Sequence, residues 1–221
     1  MLDTIPFSDF SDLLSSRLSQ PLPGQVAQFQ MAPLARRQPE MASVAAKACR
    51  EAGVMALFYP DSEQRPRLLL TRRPDEMKKH SGQIAFPGGR REEQETLEEA
   101  ALRETEEEVL IPASRIDVLG PLSSLYIPPS NFCVHPFVGC IDFEPDLDVR
   151  TDEVAEAFGV RPHVLIDPAF RAVHPVTVMG QERMVPHFRL GGHRVWGATA
   201  MMMAELAAIL DPSVLEWDSL V

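Results

Sequence analysis

Between residues 95 and 108 the chain places glutamate at 95, 98, 99, 104, 106, 107 and 108, with Arg103 among them. The stretch Gln94 to Leu110 contains no Gly or Pro and is rich in strong helix formers, which predicts a helix. At 3.6 residues per turn Glu104 and Glu108 lie one turn apart on one face, and Glu107 is offset by less than a third of a turn. Three carboxylates thus share one edge, while Leu102, Thr105 and Val109 form a neighbouring face able to pack on a sheet. Like charges at this spacing cost a few tenths of a kcal/mol in water and more in a cleft. A hard divalent cation with oxygen preference, Mg²⁺ or Mn²⁺, would turn that repulsion into affinity. The fixed fork of Arg103 can clamp one carboxylate in ligand geometry. Glu92, Glu93, Glu98, Glu99 and Glu106 read as an ordinary solvated face.

The elements around this helix must position it. Gly88 and Gly89 precede it and permit a sharp bend or a close approach of backbone to a ligand. Upstream, Arg72, Arg73, Lys78, Lys79 and His80 concentrate positive charge, and Arg73 and Lys78 suit a phosphate-docking role. A short helix ending at Gly53 is expected before the strand VMALFY, then a turn and a second strand, RLLLTRR. The loop PDEMKKHSGQ leads to a short strand, IAF, and a tight PGGR turn. Beyond the glutamate helix, IDVLGPLSSLYI and FCVHPFVGCI read as strands flanking the loop PPSN. TDEVAEAF fits either one helical turn or a bulged loop. A hairpin from HPVTVMG to MVPHFRL, a strand HRVWG and a closing helix ATAMMMAELAAIL complete the pattern. Mixed strands around a few helices predict an α+β fold, an α/β/α sandwich with a mixed sheet. Residues 1–40 stand apart: Phe10, Leu13, Leu14 and Leu18 recur at helical spacing, giving either an arm docked on the main domain or a second subunit, or a flexible tail. The expected organisation is that arm, a catalytic domain over 41–212 and a tail over 213–221.

With 221 residues, 45% of them hydrophobic, the chain can bury one proper core. A formal net charge of -11 argues against an electrostatic grip on nucleic acid or anionic lipid, though a bound divalent cation reverses the local sign for a small anionic substrate. The start of the chain lacks the pattern of a leader, and no stretch approaches a membrane span, so a soluble, cytoplasmic protein is expected. Cys49, Cys133 and Cys140 make an odd count with no CxxC pair, which argues against a structural disulfide framework and for a reducing compartment, with all three read as small buried hydrophobes. None of the six histidines pairs at a zinc-like spacing.

The residues Gly89, Glu95, Arg103, Glu104, Glu107, Glu108 and Ile111 follow the spacing of the Nudix box, and the chain resembles the Nudix hydrolases through it. Thr105 stands in an aliphatic slot, and Leu110 replaces the glycine that ends the helix, so an altered turn is expected there. Leu69, Leu70, Thr71, Arg73, Gly82, Phe86, Pro87, Gly88 and Gly89 are similar to the signature of the coenzyme A pyrophosphatase branch, with Pro74 and Lys78 departing from it. The resemblance implies a Nudix fold with its loop–helix–loop, and metal-dependent cleavage of a nucleoside diphosphate joined to another moiety. In this branch coenzyme A or its derivatives would give 3′,5′-ADP and 4′-phosphopantetheine or its acyl form. It also implies Mg²⁺ or Mn²⁺ on Glu104, Glu107, Glu108 and the Gly88 carbonyl, with Arg103 supporting them. Substrate contacts would come from Arg73, Lys78, Gln83, Phe86 and Gly89. The general base stays open between Glu107 and Glu153. Rival substrates are ADP-ribose, dinucleoside polyphosphates and oxidised nucleotides; a non-catalytic ligand-sensing domain is the rival outside enzymes, and a homodimer is left open.

Overall fold

The computed structural model describes residues 2, 4–33, 36–37, 44, 47–75, 82–149, 151–178 and 181–217. Its helices are α1 (Phe7–Leu18), α2 (Gln25–Gln28), α3 (Leu97–Val109), α4 (His163–Ile166) and α5 (Gly197–Leu210). Its strands are β1 (Arg50–Pro60), β2 (Pro66–Arg72), β3 (Ile84–Ala85), β4 (Gly88–Arg90), β5 (Asp117–Pro121) and β6 (Leu125–Ile127). They continue with β7 (Phe132–Cys140), β8 (Glu156–Val160), β9 (Arg171–Val178), β10 (Gln181–Leu190) and β11 (His193–Trp196).

Strand β1 is the spine because its apolar run can be buried on both faces. Met55, Leu57 and Tyr59 enter one core, and Ala56 and Phe58 enter the other. β1 runs parallel to β7 from Arg50↔Phe132 to Phe58↔Cys140. It runs antiparallel to β4 near its start and to β2 at its far end. β3 and β8 both pair with β2, and β5 and β6 with β7, which makes the sheet mixed. Helix α3 covers one face of β1; α1, α5 and a separate sheet ordered β11-β10-β9 cover the other. This is the α+β sandwich expected from the sequence.

Two local features fix α3 on the sheet. Thr96 and Glu99 form a reciprocal cap: Glu99 N–H donates to Thr96 Oγ1 at 3.1 Å, and Thr96 N–H donates to Glu99 Oε2 at 2.7 Å. At Gly53 any Cβ would strike the Leu97 carbonyl and the Ala101 amide, so helix and strand meet backbone to backbone. Helix α5 is apolar on every face except at Glu205 and is buried from Thr199 to Leu210, as a core helix must be. Helix α1 lies on the same side with Phe7, Phe10 and Leu14 buried, the Phe10 ring 5.1 Å from that of Phe58. The 3₁₀ turn Pro212–Glu216 seats Val214 in this core.

Several expectations are corrected. No helix ends at Gly53: Arg50 to Gly53 already belong to β1, because pairing with β7 and β4 outweighs the helix-forming composition. The upstream part of that helix lies largely outside the described residues. The segment PGGR is a strand rather than a turn from Gly88 onward. Of the two readings of TDEVAEAF the loop holds over Thr151 to Ala155, and β8 begins at Glu156 where neither reading had a strand. Cys49 and Cys133 are joined by a disulfide, with Cys140 a buried free thiol. An odd count does not forbid one bridge, and the parallel register brings the start of β1 beside Cys133. The cysteine count therefore no longer speaks for a reducing compartment. Among the described residues no helix is long and apolar enough to cross a membrane.

Candidate active site

Arg103 organises the exposed edge of α3. Its Nε and Nη2 donate to the two oxygens of Glu95 at 3.1 and 2.9 Å, a bidentate pair. Nη1 donates to Glu104 Oε1 at 2.9 Å and to Glu107 Oε2 at 3.3 Å, and Nη2 also reaches the Arg90 carbonyl at 3.2 Å. One guanidinium thus gathers three acids and ties α3 to β4. Glu95 is held below the usual carboxylate range, first by its hydrogen bonds from Arg103, and these carboxylates raise the Arg103 pKa in return. The sequence marks Glu95 only as an outlying acid. Its partnership with Arg103 was hidden because Glu95 precedes the helix, where helical spacing says nothing.

Glu104 and Glu108 face the sheet. Glu104 lies against Gly89, where a Cβ would occupy the carboxyl's own place, so any other residue at 89 would displace the carboxyl. Burial raises its pKa, against the opposing pull of Arg103, and Glu107 and Glu153 add to the rise. Glu108 is 5% exposed and accepts a hydrogen bond from the Gly88 N–H at 3.3 Å. Burial pushes its carboxyl up to about 7; Arg73 and the Gly88 N–H oppose the rise, and Glu104 and Glu153 reinforce it. Glu153 therefore acts on both carboxylates from the loop before β8, and Arg73 acts on Glu108 from the end of β2. Glu107 is 60% exposed at the rim.

The donor set suits a hard divalent cation. Hard oxygen donors sit on one helical turn, and the buried member is crowded by like charges that a cation would relieve. Among the described residues no three His, Cys, Asp or Glu side chains already surround a common position. The reason is visible: Arg103 draws Glu104 and Glu107 to itself, while Glu108 turns to Gly88.

Other expected residues fall in different places. The Arg73 N–H donates to the Gln83 carbonyl at 3.0 Å, which closes the base of the signature loop. Lys78 lies outside the described residues. Phe86 is 2% exposed within the core, so the structure does not bring its ring to the acids. Gly88 offers its N–H to Glu108 while pairing with Val54. Thr105 is buried in its aliphatic slot because its hydroxyl donates to the Ala101 carbonyl at 2.6 Å. Leu110 makes the left-handed turn itself, at φ 58° and ψ 25°, so the altered turn expected there does not occur.

Comparisons with known proteins bear on the family and the fold. A model of the NUDIX domain matches residues 50–178. The chain is 33% identical over 214 residues to the uncharacterized Nudix hydrolase NudL of Yersinia enterocolitica, covering 89% of this chain and 97% of that protein. It is 39% identical over 153 residues to NudL of Pectobacterium atrosepticum, covering 64% and 74% respectively. A MutT/nudix family protein from Enterococcus faecalis shares the fold at a TM-score of 0.50 and 17% identity, over 82% of this chain and 70% of that one.

Proposed function

The chain belongs to the Nudix family, and on that premise we propose that it hydrolyses the diphosphate of a nucleoside diphosphate joined to another moiety, with coenzyme A or its derivatives as substrate. The observation that carries the reading is the contrast at Glu108, a buried carboxylate with one weak donor among like charges. Such a group is disfavoured as a bare anion and suited to holding a cation. Glu104, Glu107 and Glu108, with the Gly88 carbonyl, would hold Mg²⁺ or Mn²⁺, and the cation when bound would neutralise the diphosphate and acidify water.

The chain's own groups do the rest. Arg103 keeps Glu104 and Glu107 on the edge and restrains their rotation. Arg73, within electrostatic reach of Glu108, would supply the positive charge that docks a phosphoryl oxygen, with Lys78 and Gln83, which follow it in the sequence, as further substrate contacts. Gly89 lets the ligand-bearing Glu104 approach the backbone. Glu153, on an exposed loop within electrostatic reach of Glu104 and Glu108, would take a proton from water; Glu107 is the other candidate base. The coenzyme A assignment draws on the signature from Leu69 to Gly89 that resembles that branch.

The test is a substrate panel of coenzyme A, ADP-ribose and a diadenosine polyphosphate, each with Mg²⁺ and with Mn²⁺, products resolved by chromatography. The expected outcome is 3′,5′-ADP and 4′-phosphopantetheine, with kcat/KM for coenzyme A at least about tenfold above that for ADP-ribose. Equal turnover of the two would reassign the substrate. Tight binding without hydrolysis of any would point to a sensor domain.

A further inference from the structure

Arg171, the first residue of β9, is 7% exposed and forms no ion pair among the described residues. Its Nη1 donates to Gln30 Oε1 at 3.1 Å, while Nε and Nη2 are buried and meet no acceptor among the described residues. The Trp217 and Phe188 rings stand 4.2 and 5.5 Å from the guanidinium carbon. Such rings attract a cation but accept no hydrogen bond in the guanidinium plane. Burial lowers the Arg171 pKa to about 10, as expected of a cation taken out of water without a counter-charge.

Elsewhere in this chain the same edge of an arginine takes a carboxylate. Arg103 offers Nε and Nη2 to the two oxygens of Glu95 at 3.1 and 2.9 Å. Arg67 offers the same pair to Asp61 Oδ2 at 3.0 and 2.8 Å. Arg171 presents this edge with its Nη1 already fixed on Gln30, and Gln30 is held in turn, its Nε2 donating to the Val214 carbonyl at 2.8 Å. The N-terminal arm and the C-terminal 3₁₀ turn therefore orient the guanidinium in advance, so little rotamer freedom remains to be lost on binding. One cation matches one negative charge. A flat carboxylate lies in the guanidinium plane, whereas a tetrahedral phosphate sends oxygens out of it, toward the Trp217 ring.

We propose that Arg171 is a carboxylate-binding site, its Nε and Nη2 taking both oxygens of one carboxylate side-on. Phe188 and Val214 belong to the core on the face of the main sheet away from α3, so occupancy of this site does not depend on the diphosphate reading. The bound acid clamps the arm, β9 and the C-terminal turn together. Its source is either a small free acid or the side chain of Asp218, which follows Trp217 in the sequence.

The experiment follows thermal unfolding of wild type, Asp218→Asn and Arg171→Lys in sodium formate against sodium chloride at equal ionic strength. A free acid as occupant predicts a saturable rise of about 2–4 °C for wild type and Asp218→Asn alike. Asp218 as occupant predicts that Asp218→Asn melts about 5 °C or more below wild type. Formate then restores part of that loss, and wild type does not respond. Each pattern supports the site when Arg171→Lys, which keeps the charge and loses the fork, shows no formate response. A response equal in Arg171→Lys, or none in both wild type and Asp218→Asn, overturns it. Should Arg171→Lys not fold, proton–nitrogen NMR of wild type and Asp218→Asn decides. A formate-dependent downfield shift of the Arg171 Nε–H, identified by its contact with the Trp217 ring, supports the site. An unmoved resonance in both proteins overturns it.

Discussion

Glu108 on α3 and Glu205 on α5 are both buried glutamates whose pKa burial raises, yet their surroundings differ in kind. Glu205 is fully buried and answered. Gly24 N–H donates to Oε1 at 3.1 Å, Gln28 Nε2 to Oε2 at 2.9 Å, and Ser123 N–H to both oxygens at 3.2 Å. Those donors come from the segments around α2 and before β6, so the carboxylate staples the N-terminal part to the body of the fold. Glu108 accepts one long bond from Gly88 and faces Glu104 and Glu153, with Arg73 the opposing charge. Burial alone therefore does not mark a site; the number and sign of the partners does.

Glu108→Gln separates the two roles most sharply. It keeps an acceptor for Gly88 and removes the charge, so kcat is expected to fall more than about 100-fold while the melting temperature holds or rises. Steady-state kinetics beside thermal unfolding measure both; intact turnover would dismiss the edge as the catalytic centre. Arg103→Lys keeps charge but loses the fork on Glu95, Glu104 and Glu107, and a roughly 10- to 100-fold drop in activity is expected with the fold retained.

Glu205→Ala should do the reverse. It strands Gly24 N–H, Ser123 N–H and one proton of Gln28 Nε2, and a loss of about 3 kcal/mol in urea unfolding is expected. Activity per folded molecule should stay within about twofold. The pH dependence has a definite sign. The folded pKa of Glu205 lies above its unfolded value, so its contribution is full below that unfolded value, about 4.3, and is lost as pH rises through the folded pKa. The stability of wild type relative to Glu205→Gln should therefore decline as pH climbs through that window. A relative stability that grows with pH would contradict the burial argument.

The shared edge of Glu104, Glu107 and Glu108 is legible in the sequence, because helical period and residue type fix where they lie on α3. The partners of those acids were harder to read, since they come from strands: Gly88 and Gly89 reach the helix through the register of β4 on β1. The start of β1 departs from the sequence expectation for a related reason. Local preference over Arg50 to Gly53 is weak, and the long parallel pairing with β7 decides it. Even the cap at Thr96 was written as Thr-x-x-Glu, a signal that places the helix start at Leu97 rather than near Gln94. Glu205 gave no sign of its role, because its donors lie some 80 and 180 residues away in sequence, at Ser123 (82) and Gly24 (181).

The smallest expected effect tests whether α3 is strained where it ends. Leu110 accepts the left-handed turn, its N–H donating to the Glu106 carbonyl at 2.9 Å, while the Glu106 side chain accepts from the Ala113 N–H at 2.9 Å. These bonds hold the turn whatever residue stands at 110. A left-handed residue with Cβ costs about 1–2 kcal/mol, and glycine relieves that but adds about 0.5–1 kcal/mol of freedom to the unfolded chain. Leu110→Gly should thus stabilise by up to about 1 kcal/mol, a rise of about 2–4 °C in melting temperature for a chain of this size. A fall in melting temperature instead would mean that the exposed leucine stabilises the fold by packing. The end of α3 would then resemble the satisfied surroundings of Glu205 more than the strained edge beside it.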